Sequence, residues 1–288
     1  MRAAGTPQSA GLSGVPLMIF VALTIPSADA MIKLLTATHP PLFVAWARYT
    51  ATLAFVVPVV LWREGGRALW PRDLARHALR GAFMVGAMTS FVTALAVVPI
   101  TTALGGLFLS PLIASGLAVL LLGERSTWRR WAAVTMGFAG ALAVLQPGAA
   151  LPLGGLWAVL AGTLFGGYVI CARLTGQGRD SSLVALFAQT AFAAVVLSPF
   201  ALWQWSDVDA RTVGLVLAIG LVSGVCHLAM LEAYRRSEAT LLAPIMYLEL
   251  VTATVLGLVL FGDWPNAVAW MGMALVVAAG VVVQRGRV

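Results

Sequence analysis

The sequence predicts an all-α integral membrane protein: ten transmembrane helices in two inverted five-helix repeats around a central cavity. Three observations carry this. The 288 residues are 60% hydrophobic and only 10% charged, with a mean hydropathy of +0.94, whereas a soluble domain carries about a quarter charged residues. Apolar stretches of about 20 residues, each long enough to cross roughly 30 Å of hydrocarbon as a helix, recur from end to end. The two halves also match one another at a fixed offset.

In chain order the spans fall at 15–36, 41–62, 78–98, 101–122, 129–146, 153–173, 182–203, 212–232, 240–261 and 265–284. Membrane barrels need alternating strands, and that alternation is absent, so helices are the remaining way to satisfy the backbone in lipid. The longest link, Arg63 to His77, is a charged hairpin loop. The leader 1–14, rich in Gly, Ser and Ala, reads as disordered. Within the first span "SADA" (Ser27 to Ala30) follows Arg2 and an apolar run, as in a signal peptide. Cleavage there would leave nine spans and break the charge alternation between links.

That alternation sets the expected topology. With the N-terminus inside and every span reversing direction, the inside segments hold Arg2; Arg63, Arg67, Arg72, Arg76 and Arg80; Arg125, Arg129 and Arg130; Arg173 and Arg179; Arg235 and Arg236; Arg285 and Arg287. These are 15 of the 18 basic residues. Only Arg211 is outside, beside Asp207 and Asp209, while Lys33 and Arg48 lie within spans. By the positive-inside rule both termini of this multi-pass protein are cytoplasmic. The net charge of +7 is thus topological, and no nucleic-acid partner is implied. Cys171 and Cys226 sit in different spans at no metal-ligand spacing. Neither a nucleotide-binding loop, a metal cluster nor a nucleophile motif is present, so no cofactor and no metal are expected and the chain does not read as an enzyme.

The internal match is between "TTALGGLFLSPLIASGLAVLLLGE" (Thr101 to Glu124) and "TLLAPIMYLELVTATVLGLVLFGD" (Thr240 to Asp263), an offset of 139, which also places Trp131 on Trp270. "VAWARYTA" (Val44 to Ala51) matches "VALFAQTA" (Val184 to Ala191) once a gap is allowed, and Pro58 and Pro199 close the two second helices. Five spans per half is an odd number, so repeats at 15–146 and 153–284 enter the membrane in opposite senses. Inverted repeats are a transporter architecture, with the substrate site near the midplane between them.

Lys33, Pro40-Pro41 with Arg48, Ala94-Leu95, Thr101-Thr102-Ala103, Pro111, "LLLGER" (Leu120 to Arg125), and in the second half Tyr247-Leu248-Glu249 and "LFGD" (Leu260 to Asp263), follow one another in a familiar order. With these motifs the chain resembles the drug/metabolite transporter superfamily, in its ten-helix branch of paired EamA-type repeats, and most closely its bacterial exporters of aromatic and neutral amino acids. Two positions depart from the pattern: Leu250 stands where the second repeat should have proline, and Asp263 replaces Glu124. The resemblance implies alternating-access transport of a small-molecule substrate across a bacterial inner membrane, by a monomer or homodimer in contact with membrane lipid.

Polar residues inside the spans are the candidates for the site. Glu249 sits mid-span, where a lone carboxylate costs several kcal/mol (about 2.5–3.5 on insertion scales) unless it faces protein or water. It either binds a substrate ammonium or carries a proton in the cavity, or it hydrogen-bonds a neighbouring helix. Ser110 is its repeat partner. His227, one turn from Ser223, either donates to a carboxylate or packs. Met84 and Met88 form a soft stripe with Phe91. Trp157, Phe165 and Tyr168 share helical spacing and can stack on an aromatic substrate. Asp29 and Lys33, four apart, read as an internal ion pair. Arg48 is a gate contact, a clamp on a substrate carboxylate, or a partner of Asp29. Together these predict export of neutral, aromatic amino acids, with efflux of hydrophobic cations, other metabolites, or a non-transporting scaffold as alternatives.

Overall fold

A computed structural model describes residues 12–98, 100–124, 127–145, 153–176, 180–262, 264 and 266–285. Residues 1–11 of the expected leader, Arg125, Arg179 and Asp263 lie outside the described residues. The leader's last three residues, Leu12–Gly14, form a 3-10 turn, and Gly14 N–H donates to Ser237 Oγ at 3.2 Å.

Twelve α-helices fill ten spans among the described residues: α1 (Val15–Thr36), α2 (Pro41–Glu64), α3 (Leu74–Val97), α4 (Ile100–Leu107), α5 (Ser110–Leu122), α6 (Trp128–Leu145), α7 (Leu153–Gly176), α8 (Ser182–Trp203), α9 (Ala210–Arg236), α10 (Ala239–Met246), α11 (Leu248–Phe261) and α12 (Ala267–Arg285). Among the described residues, eight helical spans are long and apolar enough to cross a membrane. The other two, α6 and α12, pack on each other. All ten predicted spans are present within a few residues, and no strand interrupts them among the described residues.

The two extra helices arise because spans four and nine are each broken in the middle. Between α4 and α5 the ladder tightens, Leu109 N–H bonding Gly106 O at 3.1 Å, and Pro111 in the first turn of α5 supplies no N–H to carry the α4 ladder onward. Between α10 and α11 the break falls at Tyr247, where Leu250 N–H reaches back only three residues to Tyr247 O at 3.1 Å. The second break forms although Leu250 replaces the proline.

The packing obeys the repeat. Exchanging the halves turns α1 on α9 into α7 on α3, α2 on α9 into α8 on α3, and the contacts of α7 with α4 and α5 into those of α1 with α10 and α11. All of these contacts are present, while α2 with α8 and α6 with α12 map onto themselves. The two breaks meet at the centre. Tyr247 OH donates to Phe108 O at 3.2 Å, and their rings lie 5.8 Å apart. Phe108 and Tyr247 are 139 residues apart, the repeat offset, so each is the other's equivalent; a contact between equivalents marks the pseudo-two-fold axis. The phenol also satisfies a carbonyl that the break releases from its helix.

Small residues bring backbones together where the sequence places them. A Cβ on Gly162 would lie 2.0 Å from Gly106 O, and one on Gly220 would lie 2.5 Å from Ala51 Cβ. Thr52 Oγ1 uses the second close approach to donate to Gly220 O at 3.1 Å. This is helix packing of the small-residue type used in membranes.

At the arginine-rich ends three carboxylates hold helix termini together. Glu124 accepts from Arg173 Nε at 3.2 Å and from the N–H groups of Ala239 and Thr240, capping α10. Arg173 also donates to Tyr234 O at 2.7 Å, near the end of α9. Glu232 pairs with Arg236 at 2.7 Å and accepts from Ser182 at 2.6 Å. Asp180 accepts from His77 Nε2 at 2.9 Å and from the N–H groups of Arg72 and Asp73. The hydrogen bonds to Asp180 join the α2–α3 link to the start of α8.

Candidate functional site

A cavity with about 650 Å³ of empty space, open solvent counted, lies between α1, α2, α3, α9 and α11, with Leu107, Phe165 and Met246 contributed by α4, α7 and α10. Its wall is mainly soft and apolar. Five methionines (Met18, Met84, Met88, Met230 and Met246) and the rings of Phe91 and Phe165 line it. Flexible thioethers adapt to irregular shapes and make favourable contacts with aromatic rings.

Into this wall four buried polar side chains converge from four helices: Asp29 of α1, Arg48 of α2, His227 of α9 and Glu249 of α11. Asp29 and Glu249 lie 220 residues apart in sequence, and only the fold brings the four together. The charges of Asp29, Arg48 and Glu249 are close enough to act on one another. Among the described residues, however, no oxygen of Asp29 or Glu249 is within 4.0 Å of Arg48. Arg48 Nη1 instead contacts Met88 Sδ. Two carboxyl groups and a guanidinium therefore share a cavity without closing into a pair.

Local structure sets each group. Glu249 occupies the first turn of α11, because the break at Tyr247 starts a new helix there. The positive end of a helix favours negative charge, which stabilises a carboxylate at mid-membrane depth. His227 Nδ1 lies 2.8 Å from Ser223 O. A carbonyl only accepts, so Nδ1 carries the proton, and in the neutral ring Nε2 is a lone-pair acceptor.

Of the eight residues expected to bind substrate, Glu249, His227, Met84 and Met88 line the cavity. Ser223 lies behind His227 and holds it through its carbonyl. Ser110 is wholly buried in the first turn of α5. Tyr168 is also wholly buried, stacked on Phe165 with centroids 5.3 Å apart, and not itself part of the wall. Trp157 is 39% exposed and away from the cavity. Of the gate residues, Asp29 and Arg48 are in the wall. Lys33 is not: its ammonium bonds the carbonyls of Leu95 and Val98 at the end of α3. The spacing of Asp29 and Lys33 suits a pair, but the unsatisfied carbonyls of a helix C-terminus are the stronger claim on a lysine. Glu124 likewise takes Arg173 and the α10 N-terminus.

Sequence reading did not place Met18 or Met246 in the site, because each is a single methionine without a patterned neighbour; Met230 was legible only as sharing the face of His227. Met84, Met88 and Phe91 were legible from helical spacing.

The EamA-like transporter family model matches residues 12–146 and again 152–284. The S-adenosylmethionine uptake transporter of Rickettsia prowazekii is 28% identical over 93% of this chain and 91% of its own length. The riboflavin transporter of Rhizobium johnstonii is 30% identical, covering 85% of this chain and 82% of its own. The pseudopaline exporter CntI of Pseudomonas aeruginosa is 26% identical, covering 95% and 96%. One crystal structure superposes with a TM-score of 0.77 at 23% identity, covering 97% of this chain and 99% of that one, a likeness of fold alone.

Proposed function

The chain belongs to the EamA-like transporter family and is a multi-pass membrane transporter; on that footing we propose that it exports small zwitterionic metabolites, neutral and aromatic amino acids first among them. The observation that carries this is the convergence of Glu249, Asp29 and Arg48, unpaired with one another, in one methionine-lined cavity. A zwitterion needs an acceptor for its ammonium, a donor for its carboxylate and an accommodating surface for its side chain. Glu249 and Asp29 supply the first, with His227 Nε2 beside them. Arg48 supplies the second through a planar, permanently charged fork. Phe91, Phe165 and the thioethers supply the third.

One relative is named for S-adenosylmethionine, a methionine derivative, which supports an amino-acid head group. The relatives include both uptake transporters and an exporter; export is our reading. The same reading sets both termini and the arginine-rich helix ends in the cytoplasm and has the cavity alternate between the two faces.

The presence of two carboxyl groups against one guanidinium favours a second reading, efflux of a hydrophobic cation. Uptake of labelled phenylalanine by liposomes carrying the purified protein and preloaded with unlabelled phenylalanine separates the two. Counterflow competed by other neutral amino acids supports the zwitterion. Counterflow seen only with phenethylamine, which lacks the carboxylate, refutes it.

A further inference from the structure

Below the cavity, toward the arginine-rich helix ends, the interior is not apolar. Tyr168 stacks under the cavity residue Phe165, and Tyr234 OH donates to Sδ of the cavity residue Met246 at 3.3 Å. Gln189 lies beside the Tyr168 hydroxyl, yet neither that hydroxyl nor Gln189 Oε1 completes a hydrogen bond by geometry, although both residues are almost wholly buried. One turn further, Arg80 is 0% exposed, acts electrostatically on Tyr168 and Cys171, and donates through Nη2 to Ala185 O. Arg80 then borders a second, small and partly open pocket, about 170 Å³ with open solvent counted, that it shares with Ser182, Arg235 and Asp180. The Asp180 carboxylate is already committed to His77 and to two backbone N–H groups.

Buried polar atoms without partners are costly, and a pure packing role would select apolar groups of the same shape. A polar column that begins under the central cavity and ends at a second one is what a translocation route needs in its closed state. We propose that Tyr168, Gln189 and Arg80 form a second, transient binding station through which the carboxylate end of the substrate passes between the central cavity and the arginine-rich face. Arg80 and Arg235 attract the anionic group, the Tyr168 hydroxyl and the Gln189 amide hydrogen-bond it, and Gln189 Oε1 accepts from the ammonium. This rests on the zwitterion reading for its substrate, but its charge selectivity does not depend on which metabolite is carried.

Cys171 stands beside Arg80, one turn below Tyr168, and reports on the route. Sealed vesicles exposing the arginine-rich face are treated with two membrane-impermeant methanethiosulfonates, one bearing a sulfonate and one a trimethylammonium group. The modified cysteine is identified by mass spectrometry, and each rate is divided by that of a free thiol. The station predicts modification of Cys171 with a normalised preference for the sulfonate of about tenfold, the lower end of electrostatic focusing in a charged cleft. Arg80→Gln should abolish the preference; if that variant does not fold, Arg235→Gln at the exposed rim should reduce it. Equal normalised rates, a cationic preference, or no modification of Cys171 from this face would overturn the station. Phenylalanine binding to the same protein is measured in parallel. Its absence refutes the zwitterion reading and leaves the labelling result standing, whereas binding with equal labelling rates refutes the station alone.

Discussion

Glu249 shows how a single residue is fixed by an element boundary. A carboxylate within a membrane span is costly by itself, and its place in the first turn of α11, facing Arg48 across the cavity, offsets that cost. Glu249→Gln keeps shape and removes the charge. The variant should insert and melt as the parent does but bind phenylalanine at least about tenfold more weakly, the loss of one charge-assisted hydrogen bond. Unchanged binding by equilibrium dialysis would move the ammonium site to Asp29. Asp180 makes a prediction of the opposite kind, on stability. Burial alone would raise its pKa, but hydrogen bonds from His77 and from the N–H groups of Asp73 and Arg72 outweigh it and hold the carboxyl below its ordinary 3.8. A depressed folded pKa stabilises the protein fully above the unfolded value and loses that contribution as pH falls through the folded one. Asp180→Asn should therefore lower the melting temperature at pH 7 by about 2–4 °C per kcal/mol lost. The gap to the parent should close below pH 3.8. A gap that does not narrow at all as the pH falls below 3.8 would show that the charge is not what matters. At this scale the sequence marked which residues are out of place in lipid, but not their partners. Lys33 was placed with Asp29 by local spacing, whereas its partners are carbonyls more than sixty residues away.

Spans were legible as elements, because twenty apolar residues have few other fates. Their interruptions were less so. Span four breaks next to Pro111, which cannot continue the helix ladder. Span nine breaks at Tyr247, one residue before α11 and without a proline at Leu250. The second break is held from outside its own helix, by Tyr247 OH on Phe108 O, and such a long-range bond leaves no local signal. Tyr247→Phe should lower stability by about 1 kcal/mol, one net hydrogen bond, with the ring contact kept. A larger fall on thermal melting in detergent would mean that the phenol does more than satisfy that carbonyl. Close helix approach, in contrast, has a local mark in the sequence, Gly162 and Gly166 four apart. A methyl group on Gly162 would meet the Gly106 carbonyl at 2.0 Å, and backbone cannot swing aside as a side chain can. Gly162→Ala should cost about 1–3 kcal/mol as overpacking, and a melt identical to the parent's would contradict the α4–α7 packing described here.

For the whole molecule, the repeat explains both the packing and the position of the cavity. Equivalent elements meet on one axis at Phe108 and Tyr247, yet equivalent positions do not carry the same chemistry. Glu249 answers to Ser110, His227 to Met88 and Asp29 to Tyr168 at the 139 offset. Symmetry thus built two half-sites, and the charges in the cavity wall come from one of them, while the positions equivalent to Asp29 and Glu249 in the other are the buried, uncharged Tyr168 and Ser110. The repeat was visible in the sequence; the divergence of its two halves into different roles was not, because alignment reports likeness and the site lies in the differences. The arginine bias makes a further prediction. A cysteine placed at Arg67 should stay unmodified by an impermeant maleimide in intact cells and react after permeabilisation. Reaction in intact cells would invert the proposed topology.

The central claim is that Arg48 and the carboxyl groups of Glu249 and Asp29 recognise the two ends of a zwitterion in one cavity. It is tested most directly by equilibrium binding of phenylalanine, phenethylamine and 3-phenylpropionate to the purified protein and to its Arg48→Gln variant. The parent should prefer phenylalanine to phenethylamine by at least about tenfold, one charge-assisted contact, and Arg48→Gln should erase that preference while leaving the amine's affinity within about threefold. If the parent binds phenethylamine as tightly as phenylalanine, and Arg48→Gln changes neither, the guanidinium does not read a carboxylate and the cavity belongs to a cation.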